Sequence, residues 1–289
     1  MWELDFMVNR PRKAVIPAAG LGKRFYPLTR AQPKEMLPIV DKPLIHYIIE
    51  EAVKSGLDEI LIIVGSGKDA IVNYFDSSIL DKDLAISSKL DLPDVFFVRQ
   101  KEILGLGDSI RYSKKFVGQD PFVILLGDTI YTSETSKTVT TQIIDKYVQI
   151  GQPVIAVEKV LKEKISDYGI IGGSSVDDTT WKVNSLVEKP APKDAPSNLG
   201  ITGTYILDSR IFKFLETISP GKNGEYQLTD ALSLYVKKFP LYATLFSGKR
   251  YDVGTKELWI RTFLEFVRAD ERFSHIMNDA EIRSARKGI

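Results

Sequence analysis

The chain has 289 residues and no cysteine, and its 39 lysines and arginines almost balance its 38 aspartates and glutamates. The lack of cysteine excludes disulfides, cysteine zinc sites, iron–sulfur clusters and thiol nucleophiles. With only two histidines, a histidine-rich metal cluster or a histidine-dependent triad is disfavoured. The near-neutral charge also disfavours a nucleic-acid partner, because a protein that binds phosphate backbones is usually strongly basic.

Signals for export or membrane insertion are absent from the sequence. The first twelve residues carry Glu3 and Asp5 and lack the apolar core of a signal peptide. No stretch approaches the roughly 20 apolar residues that span a bilayer. We therefore expect a cytoplasmic protein without a membrane partner.

The first half of the chain alternates apolar strands with helices. An apolar run at 13–19 predicts a buried strand that opens into a glycine loop, and the next helix is predicted at 43–55. On that helix His46 and Glu50 lie one turn apart and predict an exposed or half-buried pair. Strands that are apolar throughout and alternate with helices are typical of a parallel sheet covered on both faces. The further elements predicted here are strands at 59–64, 95–98, 122–126 and 153–157 and helices at 69–75, after Gly107 and at 138–148.

The second half has a different pattern. Three apolar runs are separated by Gly, Ser and Asp, which is typical of antiparallel strands. Neither an internal repeat nor a Pro/Ser linker is present, so the sequence predicts one continuous α/β domain with an added subregion. The predicted elements are strands at 168–171, 181–187, 201–207 and 243–246, helices at 209–217 and 228–238, and a helical region from Thr255 to the chain end.

The loop after the first predicted strand contains Gly20, Gly22 and Arg24. Glycines let backbone N–H groups approach a phosphate, and an arginine guanidinium can bind one through two hydrogen bonds. A dinucleotide fingerprint would need a third glycine where Phe25 stands, and neither this loop nor the segment 65–69 spells a Walker A motif. On its own the loop fits a phosphate site and a structural turn equally well.

Charged residues at three other places are candidates for chemistry. Prolines on both sides of Lys34 and Glu35 hold these residues in a rigid segment, although an ordinary solvated loop is the alternative. Asp128 and Asp252 follow apolar or aromatic segments near glycines, and Mg²⁺ is commonly bound by one or two carboxylates plus substrate phosphates. Each aspartate by itself would also fit a routine loop position.

Taken together, these segments resemble the motifs of the sugar-1-phosphate nucleotidylyltransferase family, most closely its bacterial UTP–glucose-1-phosphate uridylyltransferase branch. The matches follow the family order from residue 13 to beyond residue 254, which makes them stronger together than any single motif. The matching segments are Gly20-Leu21-Gly22-Lys23-Arg24, Tyr26-Pro27-Leu28-Thr29, Pro33-Lys34-Glu35-Met36-Leu37-Pro38, Asp41-Lys42-Pro43, Gln100 with Gly105-Leu106-Gly107, Leu126-Gly127-Asp128, Asp167-Tyr168-Gly169, Val187-Glu188-Lys189-Pro190, Asn198-Leu199, Gly224-Glu225-Tyr226-Gln227-Leu228-Thr229-Asp230 and Tyr251-Asp252-Val253-Gly254.

The resemblance implies a Rossmann-like α/β fold of the nucleotide-diphospho-sugar transferase type, with a mostly parallel mixed sheet and helices on both faces. It implies an N-terminal extension at 1–12, a catalytic domain at 13–254 and a C-terminal helical segment at 255–289 that packs or makes oligomer contacts. The implied reaction is Mg²⁺-dependent transfer of a uridylyl group from UTP to α-D-glucose 1-phosphate by direct in-line displacement. A homodimer or homotetramer is implied as well.

Roles for individual residues follow from the same resemblance. Arg24 is implied to hold the triphosphate, Lys34 to contact phosphate in the transition state, and Asp128 to act in catalysis and, with Asp252, to hold Mg²⁺. The residues implied to bind the nucleotide are Ala19, Gly20, Leu21, Gly22, Glu35, Gln100 and Gly105. The residues implied to bind the sugar phosphate are Tyr168, Gly169, Glu188, Lys189, Asn198 and Glu225.

Three positions depart from the uridylyltransferase pattern. Lys23 stands where many relatives have threonine, Gly127 where a proline is frequent and Val253 where cysteine or threonine is frequent. The Leu-Gly-Asp spelling at 126–128 is closer to thymidylyltransferases, whereas Glu35 favours UTP. Transfer from dTTP, use of both nucleotides, and a noncatalytic subunit that binds nucleotide sugars are therefore the alternatives.

Overall fold

A nine-stranded mixed sheet is the centre of the fold in the computed structural model, which describes residues 9–76, 93–221 and 224–277. The strand order is β5-β4-β1-β6-β11-β8-β12-β10-β9, and β2 with β3 and β7 with β13 form two small antiparallel ribbons. The strands are β1 (Lys13–Ala18), β2 (Pro38–Ile39), β3 (Lys42–Pro43), β4 (Glu59–Val64), β5 (Asp94–Arg99), β6 (Phe122–Leu125), β7 (Thr129–Ser133), β8 (Val154–Lys159), β9 (Gly169–Ser175), β10 (Thr180–Glu188), β11 (Leu199–Leu207), β12 (Tyr242–Thr244) and β13 (Gly248–Asp252).

The N-terminal half of the sheet is parallel, as the alternating strands and helices predict. Strand β1 lies between β4 and β6, and Lys13 is in register with Glu59 and with Phe122. Successive side chains of β1 point to opposite faces, so Val15 packs into one hydrophobic cluster while Ile16 packs into the other. A strand buried on both faces has to be apolar throughout, which explains its sequence.

The C-terminal half of the sheet is largely antiparallel, so the predicted predominance of parallel strands holds only for the first half. Strand β11 runs antiparallel to β6, β8 and β9, and β10 runs antiparallel to β9 and β12. Only residues 176–179 separate β9 from β10, and a connection this short joins antiparallel strands because parallel strands need a long crossover. The mixed α/β class is confirmed, and the sheet is more antiparallel than predicted.

Helices cover both faces of the sheet, as predicted. Helices α1, α2 and α5 pack on one face, whereas α3, α4, α6 and α7 pack on the other. The helices are α1 (Leu44–Lys54), α2 (Asp69–Tyr74), α3 (Leu106–Arg111), α4 (Lys114–Val117), α5 (Val139–Ile150), α6 (Ile211–Leu215), α7 (Leu228–Tyr235) and α8 (Lys256–Ala269).

The pair predicted on the first helix forms and is partly buried. His46 is 5% exposed, its Nε2 lies 3.0 Å from Glu50 Oε1, and its Nδ1 lies 2.9 Å from the hydroxyl of Tyr74. A carboxylate only accepts hydrogen bonds, so Nε2 is the donor to Glu50. The expectation of a half-buried pair is confirmed, because His46 is buried while 15% of the Glu50 side chain is exposed.

The C-terminal helix α8 packs against the α1 face of the molecule. The indole Nε1 of Trp259 donates to the carbonyl oxygen of Pro38 at 3.0 Å, and the ring of Phe266 meets those of Tyr47 and Tyr251 edge to face. The helix ends at Ala269, short of the predicted continuous helix, and residues 278–289 of that prediction lie outside the described residues, as does most of the N-terminal extension. Within the described residues no helix is long and apolar enough to cross a membrane.

Candidate active site

Two cavities adjoin at the edge of the sheet where β1, β4 and β6 end. The larger has a volume of about 440 Å³ and the smaller about 290 Å³. Arg24, Asp128 and Glu225 line both, so the two cavities share a wall. The carboxyl ends of parallel strands are the usual place for ligands in open α/β sheets, and the larger cavity is within the size range of small-molecule sites.

Backbone segments that follow three adjacent strands pack closely beside the larger cavity. A Cβ atom on Gly65 would lie 2.7 Å from the carbonyl oxygen of Ala19, and one on Gly127 would lie 2.7 Å from that of Pro17. Only glycine fits at such distances, so the loops after β4 and β6 can lie directly against the end of β1. This close packing exposes the backbone of Gly20 and Gly22 at the cavity, where both residues line it.

Lys34 and Asp128 form an ion pair on the wall of the larger cavity. Lys34 Nζ lies 2.7 Å from Asp128 Oδ2 although the two residues are 94 positions apart. Burial opposes the charge of Lys34, but the carboxylates of Asp128 and Glu35 outweigh it and raise the pKa of Lys34. Burial also opposes the charge of Asp128, but Lys34 outweighs it and lowers the pKa of Asp128. Both groups are therefore charged at neutral pH.

Glu35 is completely buried and pairs with Lys68, which was not among the residues predicted for the site. Glu35 is one of the residues that line the larger cavity, and Lys68 Nζ lies 2.6 Å from its Oε2. No described residue forms a hydrogen bond to the other oxygen, Oε1. Burial lowers the pKa of Lys68, and Glu35 opposes this shift. The sequence feature that could have indicated Lys68 is a second glycine loop, at 65–67, which follows β4, the strand beside β1.

Gln100 and Gly105 reach the larger cavity from the loop between β5 and α3. Gln100 is 3% exposed, and its Nε2 donates to Oδ2 of Asp108 at 2.7 Å. Gly105 is the N-cap of α3 and has φ of 98°. It packs closely against the backbone of Tyr226. The loop thus brings a buried amide side chain to the same cavity as Glu35.

The smaller cavity gathers most residues that the resemblance assigns to the sugar phosphate. Tyr168, Gly169, Glu188 and Lys189 line it together. Glu188 Oε2 accepts a hydrogen bond from the hydroxyl of Thr229 at 2.7 Å, which fixes the carboxylate at the cavity wall. Lys189 has φ of 44°, a backbone conformation that costs a non-glycine residue energy and is concentrated at functional sites.

Arg250, which was not among the residues predicted for the site, is a buried cation in the smaller cavity. Its side chain is 8% exposed, its Nε donates to Glu158 Oε1 at 2.9 Å, and its guanidinium also hydrogen-bonds the hydroxyl of Tyr168 and lies 3.4 Å from Asp252 Oδ2. Burial opposes its charge, but Glu158, Tyr168 and Asp252 outweigh it and raise its pKa. The available signal was strand periodicity, since Arg250 and Asp252 are two residues apart on β13 and face the same side.

Asp128 and Asp252 have the chemistry of a magnesium site. Both line the smaller cavity, they are carboxylates, and Mg²⁺ is usually held by one or two carboxylates together with phosphate oxygens and water. Asp252 Oδ1 accepts from the backbone N–H of Gly254 at 2.8 Å, which fixes the carboxylate beside the cavity. The residues present therefore fit a metal whose remaining ligands come from phosphate and solvent.

Two of the residues assigned by resemblance do not reach the cavities. The side chain of Leu21 is 45% exposed, and Leu21 lines neither cavity. Asn198 is also outside both linings, and its carbonyl oxygen accepts from the N–H of Val160 at 2.9 Å. The other assigned residues line one or both cavities.

A family model described as nucleotidyl transferase matches residues 13–267 of the chain. The UTP–glucose-1-phosphate uridylyltransferase YngB of Bacillus subtilis is 48% identical over 261 residues, which cover 86% of this chain and 87% of that protein. A putative UTP–glucose-1-phosphate uridylyltransferase of Methanocaldococcus jannaschii is 42% identical over 273 residues, which cover 91% and 94%.

Solved structures agree with the sequence relatives. The chain is similar to a UDP-glucose pyrophosphorylase complexed with UDP-glucose, with a TM-score of 0.85 and 39% identity over 90% of this chain and 100% of the other. It is also similar to a UTP-bound UGPase from Acinetobacter baumannii, with a TM-score of 0.82 and 29% identity over 94% and 99%. Both similarities cover nearly the whole of each chain.

Proposed function

The chain belongs to the nucleotidyl transferase family, and we propose that it transfers a uridylyl group from UTP to α-D-glucose 1-phosphate, giving UDP-glucose and pyrophosphate. The observation that carries the proposal is the pair of adjoining cavities with Arg24 and Asp128 in their common wall. One cavity would hold the nucleotide and the other the sugar phosphate, so that their phosphates meet between them. The names of the relatives, at 42% and 48% identity, support this choice of substrates.

The reaction is a single displacement at phosphorus. A phosphate oxygen of glucose 1-phosphate attacks the α-phosphorus of UTP, the new P–O bond forms, and the bond to the β-phosphate oxygen breaks with its electron pair leaving on pyrophosphate. The substrates carry several negative charges, so catalysis consists mainly of holding them in line and neutralising charge. No group on the protein has to form a covalent intermediate.

The cations around the cavities supply that neutralisation. Arg24 would hold the triphosphate and stabilise the departing pyrophosphate, because a guanidinium binds phosphate oxygens with two hydrogen bonds. Lys34 would contact the α-phosphate in the transition state, and its raised pKa keeps it charged. Lys189 would bind the phosphate of the sugar substrate, and Glu188 would accept hydrogen bonds from sugar hydroxyls.

Asp128 and Asp252 would hold Mg²⁺ when the substrates bind. The ion would supply positive charge that offsets the negative charge developing around the phosphorus. Lys34 keeps Asp128 ionised and in place at 2.7 Å, and the N–H of Gly254 holds the Asp252 carboxylate in place at 2.8 Å. Both carboxylates are thereby oriented before any substrate arrives.

The nucleobase end of the site would be formed by Ala19, Gly20, Gln100 and Gly105. Glu35, which lines the same cavity, supports UTP over dTTP through the family pattern at this position. The Leu-Gly-Asp sequence at 126–128 favours the alternative, transfer of a thymidylyl group.

A substrate panel tests the proposal directly. Purified protein with Mg²⁺ is given UTP or dTTP together with glucose 1-phosphate, galactose 1-phosphate or N-acetylglucosamine 1-phosphate, and released pyrophosphate is measured. We expect the highest kcat/KM with UTP and glucose 1-phosphate. A preference for dTTP would support the thymidylyl alternative, and no release with any pair would support a binding subunit without catalysis.

We also propose that the protein is a homodimer or homotetramer. Helix α8 carries Ile260 and Leu264 one turn apart, 50% and 42% exposed, and such an apolar stripe is suited to an interface between copies. Light scattering on the purified protein should give two or four times the 32.5 kDa of one chain. A mass equal to that of one chain would contradict the proposal.

A further inference from the structure

The amide of Gln100 is held in one orientation by a buried carboxylate. Gln100 lines the larger cavity at 3% exposure, and its Nε2 donates to Oδ2 of Asp108, itself 8% exposed, at 2.7 Å. A carboxylate has only acceptor oxygens, so the NH₂ side of the amide has to face Asp108. Turning the amide over would place its Oε1 against a carboxylate oxygen in a buried site, where two acceptors repel each other.

Asp108 is in turn fixed from its other side. Its Oδ1 lies 3.4 Å from Nη1 of Arg111, whose Nε donates to the carbonyl oxygen of Leu215 at 2.8 Å. The Arg111 guanidinium also lies over the ring of Tyr226, 4.1 Å from its centroid. This contact with the guanidinium restricts rotation of the Asp108 carboxylate. The contacts thus run continuously from Tyr226 to the amide of Gln100.

A fixed amide distinguishes two pyrimidine edges. Uracil presents the N3–H donor beside the O4 acceptor, whereas cytosine presents the bare N3 acceptor beside the N4 amino donor. An amide that opposes Oε1 to position 3 and its remaining Nε2–H to position 4 matches uracil. The reversed amide would match cytosine. Thymine has the same N3–H donor and O4 acceptor as uracil, so the orientation of the Gln100 amide does not discriminate between UTP and dTTP.

We propose that Asp108 is a positioning residue that makes the enzyme select a uracil-type base over cytosine by fixing the amide of Gln100. The inference rests on the proposed function, in which Gln100 contacts the base. None of the other described residues donates a hydrogen bond to Gln100 Oε1, which leaves this acceptor for a ligand. The carboxylate acts at a distance from the reacting atoms, through the amide alone.

The variant Asp108→Asn tests the proposal. An asparagine amide can donate or accept, so both orientations of Gln100 become compatible with it. We expect kcat/KM for UTP divided by kcat/KM for CTP to fall about tenfold, as expected for one misplaced hydrogen bond. The KM for glucose 1-phosphate should stay unchanged. A UTP-to-CTP ratio equal to that of the unaltered enzyme would overturn the inference.

The variant Gln100→Met separates positioning from a general structural effect. It keeps the length of the side chain but removes the amide, so the UTP preference over CTP should fall in this variant too. In the Gln100→Met background, Asp108→Asn should have no further effect on the ratio. If Gln100→Met retains the preference, the inference fails even where Asp108→Asn does not fold.

A matched control is Asp120→Asn. Asp120 also accepts a 2.7 Å hydrogen bond, from Lys13, but lines neither cavity, so its variant should keep the UTP-to-CTP ratio. Failure of the proposed function would look different, since the unaltered protein would then release no pyrophosphate from UTP. Failure of this inference alone would leave that activity intact and the ratio insensitive to Asp108.

Discussion

At the scale of residues, the near-neutral total charge conceals charges that are concentrated at one place. Arg24, Lys34 and Lys189 meet Asp128 and Asp252 in the two adjoining cavities, where phosphates and a cation would be neutralised. The types of these residues could be predicted from motifs. Their partners could not, because the Lys34 and Asp128 contact joins positions 94 apart and depends on the register of the sheet.

Replacing Lys34 by alanine should abolish most turnover. The variant removes a cation from the transition state and leaves Asp128 unpaired, and we expect kcat for pyrophosphate release to fall by roughly 10²–10³-fold, as for loss of one preorganised charge. Circular dichroism should show the fold intact. The control is Lys13→Ala, because Lys13 makes an ion pair of the same 2.7 Å length at 16% exposure, against 18% for Lys34, outside both cavities. Normal kcat in Lys34→Ala would contradict the assigned role.

Replacing Arg250 by lysine should weaken binding of the sugar phosphate. An ammonium cannot reproduce the planar fork that reaches Glu158, Tyr168 and Asp252 together, so these side chains lose their alignment. We expect KM for glucose 1-phosphate to rise about tenfold, with a smaller change in KM for UTP. The same change at Arg99, whose pair with Asp69 is exposed and outside the cavities, should leave both constants unaltered.

At the scale of elements, periodicity predicted the helices and strands that are buried along one stripe or on both faces. Strand β4 has the predicted bounds, and helix α1 begins and ends one residue inside its predicted bounds. The ribbon of β7 and β13 was missed because its two strands are far apart in sequence and pair only in the tertiary structure. The contact of His46 with Tyr74 was missed for a similar reason, since it joins two different helices.

The Glu50 cluster on α1 should make stability depend on pH. Burial opposes the charge of Glu50, but hydrogen bonds from His46 and Lys42 outweigh it and lower its pKa from 4.5 to about 2. Because the folded pKa lies below the unfolded one, the carboxylate stabilises the fold above about pH 4.5 and this contribution is lost as pH falls towards 2. Urea unfolding of the unaltered protein and of Glu50→Gln should therefore differ by at most about 3 kcal/mol at pH 6 and converge in acid.

Glu51 provides the control for the pH experiment. It lies on the same helix, but burial raises its pKa, and the hydrogen bond from the N–H of Thr140 opposes this shift only in part. With a folded pKa above the unfolded one, its ionisation destabilises the fold as pH rises. The difference between the unaltered protein and Glu51→Gln should therefore change with pH in the opposite direction. Equal pH slopes for the two variants would contradict the assignment of Glu50.

At the scale of the whole molecule, helix α8 near the C-terminal end of the described residues packs against β2 and α1 from the N-terminal part of the chain. Phe266 contacts Tyr47 of α1 and Tyr251 of β13 at ring-centroid distances of 5.3 and 5.1 Å. Because β13 also carries Arg250 and Asp252, the packing of α8 supports a strand that forms the smaller cavity. The division of the chain at residue 254 stays a prediction.

Replacing Phe266 by alanine should destabilise the whole molecule cooperatively. Loss of a partly buried aromatic ring from this contact should lower the free energy of unfolding by about 2–3 kcal/mol in a single transition. Leu264→Ala on the exposed side of α8 should cost less than about 1 kcal/mol in a monomeric preparation. Urea denaturation followed by far-ultraviolet circular dichroism measures both. A separate early transition in Phe266→Ala would instead show that α8 unfolds independently.

The sequence by itself determined the α/β class, the order of most elements and the family, because hydrophobic periodicity and short motifs are local properties. Only the tertiary structure decided which strands pair with each other, that Arg250 and Lys68 are buried partners of Asp252 and Glu35, and that Gln100 donates a hydrogen bond to Asp108. The physical reason is the same in each case. Strand pairing, burial and the orientation of a hydrogen bond depend on groups that are distant in sequence, and a local pattern carries no record of them.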